Sequence, residues 1–104
     1  PGHFDGYALF YARRGALSNA VEWLEKKAEW YLEQAKLPHT RDEVKPGIHK
    51  DAAETYRIIA HLHVILNKDL AGYEKYMKKF YSVLPEKHRQ RSAFGLMPVA
   101  GVYR

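Results

Sequence analysis

The stretch SNAVEWLEKKAEWYLEQAKL, residues 18–37, decides the fold. Within it Val21, Leu24, Ala28, Tyr31 and Ala35 recur at spacings of three and four, one stripe of an amphipathic helix. Ser18 is suited to cap its start, because a hydroxyl accepts a bond from an unpaired amide of the first turn. Pro38 ends it just beyond Leu37, since a proline can neither donate nor continue the helical backbone. Glu22, Glu25, Glu29 and Glu33 line another face, with Glu22–Lys26 a favourable i,i+4 pair.

Working outward, residues 38–47 carry two prolines, a glycine and the charged run Arg41-Asp42-Glu43, and read as a surface loop. A second helix is predicted from about Lys50 to Asn67. Its apolar positions cover most of the circumference, which places it at the centre of the domain. Asp69 is suited to cap a third helix in which Leu70, Tyr73, Met77, Phe80 and Leu84 repeat the same spacing, ended by Pro85. Before the deciding stretch, Asp5 is expected to cap a short helix through Arg14, with Gly15 as its stop. The run Tyr7–Tyr11 also suits a strand, but no second strand offers to pair with it, so helix is preferred. The expected fold is therefore all-α: three main helices and a short N-terminal one, as an antiparallel bundle or two packed hairpins.

The stripe at 21, 24, 28, 31 and 35 recurs at 70, 73, 77, 80 and 84, an offset of 49 that also aligns Tyr7 with Tyr56 and Glu25 with Glu74. Either two related hairpins or the shared spacing of any two amphipathic helices accounts for it. The second hairpin has the outline of a tetratricopeptide unit ending at Pro85. However, bulky His61, Tyr73 and Phe80 stand where that family needs small residues, and the chain is not assigned to it.

The 104 residues suffice for one helical domain spanning 1–104. Residues 92–104 form an apolar tail expected to pack on the domain or on a partner. Hydrophobic residues at 46% and charged residues at 28% exclude global disorder. With no cysteine there is no disulfide framework, thiolate metal site or thiol nucleophile. The longest apolar run, Tyr7–Ala12, falls far short of the ~20 residues of a membrane span. The opening residues show no basic leader or cleavage signal, and a cytoplasmic location is expected.

No phosphate loop, nucleophile elbow or zinc-protease pattern occurs, and neither a cofactor nor a metal site is expected. His61 and His63, two apart on a helix, point about 200° from one another and cannot chelate one metal. His63 reads as a neutral core histidine. Glu54, Arg57 and His61 share a polar strip, the basis for a minor reading as a small helical enzyme.

Charge is more informative. Residues 1–36 hold five acids and five bases, residues 37–68 four and five, and residues 69–104 three and seven. Most of the net +5 is thus C-terminal. Lys75, Lys78, Lys79, Lys87, Arg89 and Arg91 form a basic patch fit for nucleic acid or an acidic protein, with Tyr76 and Tyr81 at its edges. Trp23 and Trp30, seven apart, lie ~120° around from the main stripe and give the first long helix a second apolar face. The N-terminal aromatic run or the tail is available to cover either tryptophan. The whole apolar excess, with Phe94, Leu96 and Met97, points instead to a protein partner or to self-association. The expected function is a small non-enzymatic binding or regulatory protein acting through protein contacts; nucleic-acid binding is the alternative.

Overall fold

The computed structural model describes residues 2–85, and every element in them is an α-helix: α1 (Gly2–Arg13), α2 (Leu17–Lys36), α3 (Lys45–Asn67) and α4 (Leu70–Val83). The expected apolar tail lies outside the described residues. Each helix packs against the next in the chain. The smallest dimension is 17 Å, the depth of two helix layers.

Local chemistry explains each boundary. Gly15 takes a positive φ of 73°, open to glycine without steric cost. There the Gly15 amide donates to the Ala12 carbonyl at 3.0 Å and the Ala16 amide to the Tyr11 carbonyl at 2.9 Å. These two bonds form a Schellman motif and satisfy the end of α1. The same turn leaves Ala16 as the N-cap of α2, with no side-chain cap bond, so the expected role of Ser18 is not realised. Ser18 sits exposed in the first turn because the turn has already launched the helix one residue earlier. Asp5 likewise does not cap α1, which begins at Gly2; it lies in the first turn and reaches across to Lys27.

Leu37 is extended (φ −66°, ψ 139°), as a residue before proline is driven to be, and α2 ends there as expected. The loop is shorter than its composition suggests. α3 starts at Lys45 rather than near Lys50, because Pro46 falls in the first turn, where a missing amide costs no helical bond. Asp42 holds that start through Lys45 at 3.0 Å. At its far end the chain leaves α3 through Lys68 in the left-handed region (φ 52°), and the Asp69 amide donates to the His63 carbonyl at 3.0 Å. Asp69 then caps α4 as expected, its Oδ1 accepting from the Gly72 amide at 3.0 Å.

Small residues set the helix spacing. Ala20, Ala28, Ala52, Ala53 and Ala60 are wholly buried, so neighbouring backbones approach closely. Around them Leu24, Tyr56, Ile59, Tyr76, Phe80 and Leu84 fill one core, to which α1 contributes Ala8. Leu24 of α2 floors a groove between α1 and α3, whereas Glu25, one residue on, meets Tyr76 of α4. α3 is central, packing on both α2 and α4. It is not buried all round, because Ile58 and Ile65 remain exposed.

Candidate functional site

Two surfaces and one polar node stand out. The first surface is built by α1. Its helical turn places His3, Gly6, Tyr7, Phe10 and Tyr11 around an open hollow of about 560 Å³. Tyr7 stacks on Trp23 of α2 with ring centres 4.6 Å apart and planes at 20°, and His3 and Phe4 close on the same indole at 6.3 Å. Lys26 covers the indole at 4.5 Å. At the other end the Arg14 guanidinium lies 3.7 Å above the Phe10 ring, giving the aromatic strip a cationic end. An ion pair links α1 to α2: the largely covered Lys27 Nζ lies 2.7 Å from Oδ1 of the exposed Asp5. The other flank of α1 forms, with α3, an apolar groove lined by Ala8, Leu9, Ala12, Leu24, Ile58 and Leu62.

The structure therefore separates the two tryptophans by environment. The N-terminal aromatic run covers Trp23, which is half-buried. Trp30 is also half-buried and meets the edge of Tyr31 at 5.3 Å. Phe94, Leu96 and Met97 lie outside the described residues.

The second surface is the basic face of α4. Lys75 and Lys78 are exposed, while Lys79 is half-buried. Lys75 and Lys79 hold their ammonium groups 5.3 and 5.0 Å from the Tyr76 ring centre, and Lys79 is 5.6 Å from that of Tyr56. Tyr76, expected at the edge of this patch as a stacking platform, is instead buried in the core. Lys87, Arg89 and Arg91 lie outside the described residues.

The polar node joins α2, α3 and α4. His63 Nδ1 lies 3.2 Å from Asp69 Oδ2, and the imidazole stacks on Tyr76 at 5.3 Å. The Tyr76 hydroxyl donates to Glu25 Oε1. The Gly72 amide, with lesser help from His63, holds the Asp69 carboxyl below its ordinary range. Burial, then the hydrogen bond and charge of Glu25, push the Tyr76 phenol well above its ordinary value; burial, then Glu29 and Glu25, also raise Tyr56.

These shifts have a stability consequence. A phenol raised in the native state favours folding fully below its unfolded value of ~10, and that contribution is lost as pH rises through the native value. Urea midpoints should thus fall above pH ~10. Tyr76→Phe should flatten that alkaline limb while costing about 1–3 kcal/mol at neutral pH, where Glu25 loses its donor. An unchanged alkaline limb in the variant contradicts the assignment.

The strip Glu54–Arg57–His61 does not act as one group. Arg57 closes on Glu54, with Nη2 2.7 Å from Oε2, whereas His61 is exposed and stacks on Tyr73 of α4 at 5.9 Å. Among the described residues no group of three or more His, Asp or Glu side chains is arranged to hold a metal ion. No helix there is long and apolar enough to cross a membrane.

The sequence offers the aromatic run Tyr7–Tyr11 or the C-terminal tail as cover for a tryptophan and does not mark Leu9, Phe10 and Ile58 as surface residues. The available signal was the run itself: six apolar residues on a helix of 12 cannot all face one neighbour. Comparison of the chain with family models, curated proteins and solved structures finds no match.

Proposed function

We propose that this is a small, non-enzymatic, cytoplasmic binding or regulatory protein that works through protein contacts and self-associates, its four helices arranged as two packed hairpins. The observation that carries this reading is the α1 surface. Tyr7 and Phe10 are 50% and 47% exposed on one flank of α1, and Leu9 is 52% exposed on the other, beside the exposed Ile58 of α3. Scattered apolar side chains are ordinary on a protein surface; exposed aromatic and aliphatic side chains gathered on both flanks of one short helix, with charge beside them, have the composition of an interface. Arg14 over Phe10 adds a residue type that anchors such contacts.

The basic face of α4 steers an acidic partner in this reading. Burial of Tyr76 and the placement of two lysines over its ring favour that role over base stacking. Co-expression of tagged and untagged copies tests the proposal. The tagged copy should retain the untagged one after nuclease digestion, and Phe10→Glu in both copies should abolish retention. Loss of retention on nuclease treatment alone would instead make nucleic acid the bridge, and no retention in either arm would refute self-association.

A further inference from the structure

We infer that the apolar segment 92–103 folds back on its own domain and seats in the groove between α1 and α3. Ala8, Leu9 and Ala12 form one wall of that groove and Ile58 and Leu62 the other, around a hollow of about 290 Å³. Its floor is Leu24 of α2, 4% exposed. Of the described residues that line it, Asp5 alone is charged. Ile65 is seven residues on from Ile58, hence on the same side of α3, and at 72% exposure it prolongs that wall. The segment has matching chemistry. From Ser92 to Tyr103 no charged residue occurs, and Phe94, Leu96, Met97, Val99 and Val102 all gain by leaving water.

Reach selects this groove and this copy. The described residues end at Pro85, beside Leu32 of α2 and His49 of α3. Ile58 lies nine residues along α3 from His49, ~14 Å at the helical rise. Crossing α3 adds about one interhelical spacing of ~10 Å, for a direct path of ~17 Å. Residues 86–91, Glu-Lys-His-Arg-Gln-Arg, span ~20 Å when extended. Their charge suits a tether that crosses the surface in water, and the apolar run begins where the tether arrives. A segment on so short a tether meets its own groove at an effective concentration of roughly millimolar, so that groove fills before another copy's.

Direction agrees. Leu24 lies by Ile58 and Leu62, and Leu32 by His49, so α2 runs antiparallel to α3. Asp5 pairs with Lys27 and Tyr7 with Trp23, so α2 is antiparallel to α1 as well. Helices α1 and α3 therefore run the same way, and the Asp5/Ile58 end of the groove is the one nearest the tether. The segment enters there and runs towards Ala12 and Leu62. It covers the Leu9/Ile58 flank of α1, where composition alone pointed to a partner. The Tyr7/Phe10 flank stays open to the partner proposed above.

The chain has no cysteine, so disulfide trapping on the full chain tests this directly. One variant carries Leu9→Cys with Leu96→Cys, the other Lys78→Cys with Leu96→Cys. Lys78 is exposed and nearer to the segment in sequence, so a segment in free motion would link to it at least as fast. The Leu9 pair should instead close within one chain at least tenfold faster, read by mass and non-reducing electrophoresis. Phe94→Glu added to that variant should remove the advantage. Equal or faster closure at Lys78 overturns the inference, as does an advantage that survives Phe94→Glu. A Leu9 link found at the mass of a dimer overturns it too, and puts the segment in the groove of a second copy. Helical circular dichroism checks folding, and Leu62→Cys replaces Leu9→Cys if that variant does not fold. Phe94→Glu alone should leave retention of the untagged copy unchanged, so this inference and self-association fail separately.

Discussion

Ile59→Ala should lower unfolding free energy by about 2–5 kcal/mol, a large share of the ~5–15 kcal/mol that holds a domain of this size. Among the described residues Ile59 is the largest side chain that is fully buried, and it sits on the helix that packs against two others. Its removal leaves a void in the core cluster that also holds Ala28, Ala53, Ala60, Tyr56, Tyr76 and Phe80. The matched control is one residue away: Ile58 is 41% exposed, and Ile58→Ala should cost under about 1 kcal/mol. Urea unfolding of both variants measures the contrast. Equal losses at the two positions would mean that α3 does not face the core as described.

Gly72→Ala should destabilise the fold by about 1–3 kcal/mol, although alanine is ordinarily worth up to ~1 kcal/mol over glycine inside a helix. A Cβ at Gly72 would stand 2.4 Å from His63 Nδ1, 2.6 Å from Asp69 Oδ2 and 2.7 Å from His63 Cγ. None of these is the free end of a flexible chain. The imidazole is held by its stack on Tyr76 and its contact with Asp69, whose carboxylate is fixed as the α4 cap. The methyl must therefore displace the cap, the ring or the whole start of α4. Removing the ring should reverse the sign: in a His63→Ala background the helix preference of alanine reappears, and Gly72→Ala becomes neutral or stabilising. A double-mutant cycle by thermal unfolding reads this coupling directly. Additive effects would show that the glycine is not required by the histidine.

These two residues also show what could be read from the chain. The Asp69 cap was legible because its bond spans three residues, whereas Ile59 could not be told from Ile58 on a helix whose apolar positions cover most of its circumference. Gly72 was not legible, since a glycine inside a helix announces only a weak helix former; its neighbour His63 belongs to another helix. Ser18 was misassigned for a related reason. It has the chemistry of a cap, but the hydrogen bonds closing α1 at Gly15 start α2 at Leu17. Pro46 reads as loop because proline breaks helices, yet it sits where the first turn has no amide bond to lose. Trp23 and Trp30 were correctly placed on one side of the helix by their spacing of seven. Spacing could not tell that α1 would lie over the first, nor that Arg57 would turn to Glu54 and away from His61.

The surface of α1 ties these local facts to the functional reading. A hairpin whose second helix is pinned by Lys27–Asp5 and by the Tyr7–Trp23 stack presents the rest of its aromatic band to whatever comes next. Light scattering on the intact, nuclease-treated chain over a hundredfold range of concentration tests that most directly. The mass should rise above the monomer value of 12.1 kDa as concentration increases. A mass fixed at the monomer value throughout would contradict the account.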